Sequence, residues 1–225
     1  MQRRHTLLSV YKKLHAIHGP QDWWPGDSAF EIMVGAILTQ NTAWTNVEKA
    51  ITNLKRVRAL TPRKILATPK ATLAGLLKPS GYFNVKAQRL RAYCLWLVQQ
   101  GGIKQLAKMP THELRAALLS VHGIGPETAD DILLYAFDRP VFVIDAYTRR
   151  LFQRLGLIVG KEDYETLRAL FESILEPDVA LFNQYHALIV VHAKDTCRKQ
   201  PRCADCCFCN ACSGPGIFLN SGNVD

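Results

Sequence analysis

Four cysteines near one end of the chain and one aspartate in its second half are the residues whose types and spacing most readily suggest chemistry. Cys197-x5-Cys203-x2-Cys206-x5-Cys212 gathers four thiols within sixteen residues. A loop of that length can wrap a polynuclear iron-sulfur centre, and the same four thiolates can hold zinc tetrahedrally, so spacing alone leaves [4Fe–4S] and zinc both open. Cys207 and Cys209 are surplus, and Cys206 is the preferred third ligand because it keeps the x2 and x5 gaps together. No apolar export signal follows Met1-Gln-Arg-Arg, so a metal or cluster site in a reducing compartment is expected in place of a disulfide framework. Asp145 ends the apolar run Val141-Phe142-Val143-Ile144 and opens a helical stripe of Tyr147, Leu151, Phe152 and Leu155. An aspartate there is either a helix N-cap or a carboxylate presented for chemistry.

The elements that must position Asp145 begin with an amphipathic segment opened by Pro110-Thr111 and ending at Ser120. His122-Gly123-Ile124-Gly125-Pro126 is then a tight reversal, in which both glycines are expected to relieve the Cβ penalty on unusual backbone angles. Pro126 suits the first turn of a new helix, along which Ala129, Ile132, Leu133, Ala136 and Phe137 recur with helical period. Two helices joined this closely at G-I-G make a helix-hairpin-helix. Its free N–H groups at and beyond Gly123 and Gly125 suit one backbone phosphate of a nucleic acid; the alternative is a turn that only connects two helices.

Elsewhere the pattern is helical throughout. A short amphipathic helix precedes Gly19-Pro20, and Phe30 to Leu38 reads as a buried central helix. Thr45-Asn-Val-Glu48 has capping-box spacing, Thr61-Pro62 and Thr68-Pro69 each look like a cap and a helix start, and Asn84 is placed to cap a long helix through Val98. Asp163 to Ile174 and Val179 to Lys194 complete about nine or ten helices, with Val141 to Ile144 the one run ambiguous between helix and strand. Residues 214–225 carry few anchoring groups.

With 225 residues, 48% of them hydrophobic, the chain can bury one core or two modest ones. No stretch approaches the roughly 20 apolar residues that span a bilayer, so an intracellular protein without a membrane partner is expected. The formal charge is +9, from 28 basic and 19 acidic residues, which favours a nucleic-acid partner. Basic pairs occur near the two ends and just after Asp145: Arg3-Arg4, Lys12-Lys13, Arg149-Arg150 and Arg198-Lys199. If the ends fold together they could make one basic face; an ordinary solvated surface is the alternative.

Ser120-Val-His-Gly-Ile-Gly-Pro-Glu-Thr-Ala-Asp130, followed by Val143-Ile-Asp-Ala-Tyr-Thr-Arg-Arg150, resembles the hairpin and catalytic aspartate of the endonuclease III superfamily of base-excision DNA glycosylases. The resemblance implies an all-α, two-domain helix-hairpin-helix DNA glycosylase fold with a C-terminal iron-sulfur cluster loop. Residues 21–136 would form a helical bundle containing the hairpin, 1–20 and 137–213 a discontinuous iron-sulfur domain, and 214–225 a flexible tail. In that family DNA crosses the cleft between the domains, with the aspartate projecting into it. The family's cysteine spacing has one more residue in the first gap, and the likeness favours one structural [4Fe–4S] cluster on Cys197, Cys203, Cys206 and Cys212, with zinc as the alternative. It also implies that Gln40 is the intercalating glutamine; His122, Gly123, Gly125 and Thr128 at the hairpin, Arg149 after Asp145, and Arg198, Lys199 and Arg202 on the loop between the first two cysteines are the expected DNA contacts. Thr39-Gln-Asn-Thr-Ala-Trp44 together with Asp22-Trp-Trp-Pro25 resembles the branch called 3-methyladenine DNA glycosylase III. Trp23, Trp24, Pro25 and Trp44 would then line a base pocket, where a cationic alkylated purine gains stacking and cation–π attraction; core packing is the other reading of these rings.

The expected activity is removal of a damaged base from duplex DNA after eversion, with Asp145 ionised and assisting hydrolysis of the glycosidic bond. Glu127 stands where bifunctional members carry their Schiff-base lysine, and a carboxylate cannot form that imine, so the product would be an intact abasic site. An early helical position also suits Glu127 to capping. Three rivals remain: an endonuclease III-like glycosylase and AP lyase acting on oxidised pyrimidines, a noncatalytic damage-binding protein, and an iron-sulfur electron carrier. A monomer with no obligatory protein partner, working on cytoplasmic or nucleoid DNA in a bacterium or archaeon, suffices for the first reading.

Overall fold

The structure, a computed structural model, describes residues 6–21, 23 and 26–212, and among these it is helical with no β-strand. Among the described residues there are twelve α-helices where nine or ten were expected, the excess lying in short pieces that periodicity resolves poorly. No helix among the described residues is long and apolar enough to cross a membrane. The expected tail, Arg3, Arg4, Trp24 and Pro25 lie outside the described residues. The chain divides into two compact units, residues 24–139 and residues 1–23 with 140–225.

The unit of residues 24–139 contains α2 (Ala29–Leu38), α3 (Trp44–Arg56), α4 (Pro62–Ala67), α5 (Lys70–Leu77), α6 (Phe83–Gln99), α7 (Ile103–Leu106), α8 (Thr111–Leu119) and α9 (Pro126–Phe137). It is built around α2, whose Phe30, Met33, Val34, Ile37 and Leu38 are all buried. The Ser28 hydroxyl caps α2 by accepting the Glu31 N–H, and Thr39 ends it by returning its hydroxyl to the carbonyls of Gly35 and Ala36. Packing of α2 on α9 brings the loop after α2 against the hairpin between α8 and α9. Burying these aliphatic side chains contributes roughly 1.5–3 kcal/mol each before chain entropy is subtracted.

Three cap assignments made from sequence are corrected here. Helix α3 begins at Trp44 with Ala43 as its N-cap, and Glu48 accepts the Trp44 indole N–H at 2.8 Å instead of closing a capping box with Thr45. Thr68 gives its hydroxyl back to the Lys64 carbonyl, so it finishes α4 and leaves Pro69 as the N-cap of α5. Asn84 lies inside α6, whose N-cap is Tyr82 in the left-handed region at φ 43°. For Glu48 and Thr68 the side chain found a different partner than the pattern supposed, and for Asn84 the helix begins one residue earlier.

The unit of residues 1–23 and 140–225 contains α1 (Leu7–His18), α10 (Ala146–Arg154), α11 (Tyr164–Leu175) and α12 (Val179–Asp195). Its core is aromatic: the Phe142 ring stacks near Phe171 at 4.7 Å and meets Phe182 edge-on at 5.3 Å. Val141 to Ile144 are all buried in neither helix nor strand. Side chains of α11 resolve how an extended run survives there without a sheet: Glu172 accepts the Phe142 N–H at 2.9 Å, and the Tyr164 hydroxyl accepts that of Ile144 at 3.4 Å.

Candidate functional site

Asp145 proves to be the N-cap of α10, its Oδ1 accepting the Thr148 N–H at 2.7 Å. The other oxygen, Oδ2, lies 3.5 Å from His186 Nε2 on α12, and the aspartate side chain is 13% exposed. Burial works against ionisation at this depth. The hydrogen bond and charge of His186, with the Thr148 N–H, outweigh it and hold the carboxyl below its ordinary value of 3.8. The result is a carboxylate that stays charged at neutral pH, anchored at Oδ1 by the Thr148 N–H and facing His186 at Oδ2. His186 was not foreseen, because a histidine within an apolar helical stripe carries no local signal of what it faces.

In the other unit, the Gln40 amide sits against the hairpin. Its Nε2 donates to the Gly123 carbonyl and to Thr128 Oγ1, both at 3.0 Å, and its Oε1 accepts from Arg89 of α6. Thr128 is buried, whereas His122 and Gly125 are exposed. Arg89 was missed by the sequence reading, as was Lys86 one turn before it. The Lys86 ammonium is 2% exposed and donates to the Leu38 carbonyl at 2.8 Å and to the Ser80 carbonyl and Thr42 Oγ1 at 2.6 Å. Burial, with the charge of Arg89 adding to it, pulls this lysine down to about 8. One buried cation thus ties the end of α2 and the loop after it to the Lys78–Ser80 turn.

The two hairpin glycines differ from each other, which corrects the expectation that both serve unusual backbone angles. Gly123 does, with φ +87°, and a Cβ there would also run into the Arg89 side chain. Gly125 is extended at φ −94°, and a Cβ would meet nothing within 4 Å. Its missing side chain keeps open space in front of the α9 N-terminus, whose first-turn N–H groups suit an anion. Glu127 lies exposed in that first turn.

The cysteines converge on a cavity of about 70 Å³ lined by Cys197, Cys203, Cys206, Cys209 and Cys212. Arg154, only 4% exposed, puts Nη1 3.1 Å from Cys197 Sγ and donates to the carbonyls of Arg198 and Lys199. That buried guanidinium fits a site carrying several thiolate charges. Cys207 does not line the cavity. It lies instead with Cys206 and His192 in a group whose ligand atoms are all within 4.8 Å. As hydrogen-bond donor, Cys207 holds the Cys206 sulfur well below the usual thiol range.

The remaining candidates vary. Arg198, Lys199 and Arg202 are exposed around the cysteine cavity, while Arg149 is half-buried and donates to the Glu162 carbonyl at 2.7 Å. Trp23 is half-buried with the Lys194 ammonium 5.6 Å from its ring centroid. Trp44 is half-buried at the start of α3.

Residues 34–177 match the HhH-GPD superfamily of base excision DNA repair proteins. A protein of Methanocaldococcus jannaschii described as a DNA repair glycosylase is 47% identical over 203 residues, covering 89% of this chain and 92% of that protein. Endonuclease III of Haemophilus influenzae is 30% identical over 187 residues, covering 83% and 84%. Among solved structures, the 3-methyladenine DNA glycosylase MagIII of H. pylori bound to 1,N6-ethenoadenine superposes with a TM-score of 0.74 at 29% identity, covering 84% of this chain and 98% of that one. A match over more than half the chain, joined to close identity along nearly all of it, places this protein in the HhH-GPD superfamily of base excision DNA repair proteins, as a DNA glycosylase.

Proposed function

We propose that the protein is a monofunctional glycosylase that removes alkylated purines such as 3-methyladenine from duplex DNA and leaves an abasic site. The observation that carries this reading is the Asp145 carboxylate, held ionised, with Oδ1 anchored by the Thr148 N–H and His186 3.5 Å from Oδ2. A charge held in that way can stabilise the oxocarbenium-like sugar as the base departs and can orient the water that attacks it. Alkylation weakens the glycosidic bond, so one carboxylate is a sufficient catalyst for such bases. The likeness to the H. pylori 3-methyladenine glycosylase supports the substrate class.

Eversion of a base costs a few kcal/mol and leaves a gap in the stack. Gln40, already oriented by Gly123, Thr128 and Arg89, is the filler for that gap. The α9 N-terminus, kept open by Gly125, takes a backbone phosphate, while Arg149, Arg198, Lys199 and Arg202 add contacts that position the duplex without reading its sequence. Trp23 and Trp44 offer rings for the base. Glu127 offers no amine for imine formation, so strand scission is not expected.

Cys197, Cys203, Cys206 and Cys212 would hold one [4Fe–4S] cluster, with Cys209 as a neighbouring thiol in the same cavity. Its part is structural: it pins the Arg198–Arg202 loop that Arg154 also grips. Zinc on the same thiolates, or on the His192, Cys206 and Cys207 group, is the competing assignment. The visible absorption of a thiolate-bound iron-sulfur cluster, which zinc lacks, together with metal analysis separates the two.

The deciding assay offers duplexes containing 3-methyladenine, ethenoadenine, thymine glycol or a mismatch, and scores base release and heat-independent nicking separately. Release of the alkylated purines without nicking, abolished by Asp145→Asn, is the expected result. Nicking at thymine glycol would establish the bifunctional activity that the endonuclease III relatives suggest. Binding without any release would reduce the protein to a damage sensor.

A further inference from the structure

The charge surplus is not where the basic pairs at the ends suggested. Between Glu48 and Glu113 the chain has thirteen Lys and Arg residues and not one Asp or Glu. That segment runs from Lys49 within α3 through α7 to the start of α8. Helix α6 gives it two faces. Lys86, Arg89 and Tyr93, at i, i+3 and i+7, turn inward, the first two toward the Gln40 loop. Leu95 is nine positions beyond Lys86, about two and a half turns, and so lies on the opposite side of the helix with Asn84, Gln88 and Arg91.

That opposite side is grooved. One groove of about 590 Å³ runs between α4, α5 and α6, with Leu66, Ala74 and Leu95 on its apolar side and Lys70, Gln88 and Arg91 as polar groups. A second, of about 530 Å³, lies at the C-terminal end of α6, where Val98 and the buried Leu97 meet Pro62 and Ile103, flanked by Arg63 and Lys104. Neither groove has an acidic lining residue. Leu95 is 50% exposed and Val98 38% exposed. Apolar side chains in a concave strip beside unneutralised cations are a poor match to solvent.

We propose that this strip along α6 is a docking surface for an acidic amphipathic helix of a partner protein. Charge complementarity selects the acidic partner, since a segment without a single carboxylate repels a basic one and attracts an acidic one. The apolar floor selects a peptide over a nucleic-acid backbone, which would leave Leu66, Leu95 and Val98 uncovered. The stretch of α6 from Asn84 to Val98 is ~21 Å long, enough for a partner helix of about fourteen residues. Such a partner engages the side of α6 turned away from the Gln40 loop, so the glycosylase can be recruited without covering its hairpin.

Fluorescence anisotropy with a labelled helix-forming peptide of about sixteen residues, leucines at i, i+3, i+4 and i+7 and glutamates elsewhere, tests this on the full chain. The acidic peptide binds saturably, and Lys70→Glu and Leu95→Glu each weaken it roughly tenfold while thermal midpoint and undamaged-duplex binding stay as they were. Three results overturn the proposal: no saturable binding, equal binding of the same peptide with lysine in place of glutamate, or charge reversal at Lys70 that weakens the duplex and spares the peptide. The last would assign the groove to nucleic acid.

Discussion

Asp145 and Gln40 are aimed by different means. The Asp145 carboxylate is anchored first within its own helical turn, three residues away at Thr148, and only then by His186. The Gln40 side-chain amide is held by partners 49, 83 and 88 residues distant. A group fixed by a local cap tolerates changes elsewhere in the fold, whereas one suspended in a long-range network inherits the mobility of everything that holds it. The two arrangements suit their proposed tasks, since a catalytic charge must stay put and a stack filler must meet a deforming duplex.

The largest effect that sharpens this contrast comes from Asp145→Asn. The amide oxygen can still accept the Thr148 N–H, so the cap survives and only the charge is lost. Base release is expected to fall on the order of a thousandfold with duplex affinity retained. The same variant reports the carboxyl's titration through stability. Because its folded pKa lies below the unfolded value of 3.8, its stabilisation is complete above that pH and is lost as pH falls through the lower folded value. Denaturation midpoints of the two proteins should therefore differ at neutrality and converge only below pH 3.8.

Lys86→Met attacks the other arrangement. Three oxygen acceptors lose a buried donor, at roughly 1–3 kcal/mol each, and partial relaxation leaves an expected loss of about 3 kcal/mol in urea unfolding. A loss within a few tenths of a kcal/mol would mean that the two loops are held by packing alone.

Substituting the glycines gives the next-smaller change. Gly123→Ala should cost about 1–2 kcal/mol, because φ +87° is the left-handed side of the map and Arg89 fills the space a Cβ would need. Gly125→Ala should leave the melting temperature almost unchanged and weaken duplex binding, the methyl intruding on bound phosphate. Equal effects of the two on stability would refute the division of labour between them.

Smallest is the coupling of Arg89 to Gln40. In a cycle of Arg89→Met, Gln40→Ala and the double variant, an interaction of about 1 kcal/mol in duplex binding is expected. Additive losses, with a shallower salt dependence for Arg89→Met alone, would make the arginine a phosphate contact in place of a positioning residue.

Much of this protein was open to reading from local pattern. The hairpin, the buried α2, the Thr61-Pro62 start and the helix that follows Asp163 are legible from residues within one or two turns of one another, and the structure has them. The false caps at Thr45, Thr68 and Asn84 show the limit of that method: Glu48 turns to the Trp44 indole, the Thr68 hydroxyl turns back to Lys64, and α6 starts one residue before Asn84, none of which spacing ranks. Gly125 was assigned for the wrong reason, because a glycine letter does not say whether its backbone or its empty side needs it.

By itself the sequence determined the helical class, the hairpin and the local cap that orients Asp145, because these rest on periodicity and on bonds within a few residues. Only the tertiary structure decided that His186 faces that carboxylate, that Lys86 and Arg89 suspend the Gln40 loop, and that Cys209 and not Cys207 shares the thiol cavity. Contacts between residues far apart in the chain exist only once helices have packed, and no spacing rule encodes which buried cation will meet which carbonyl.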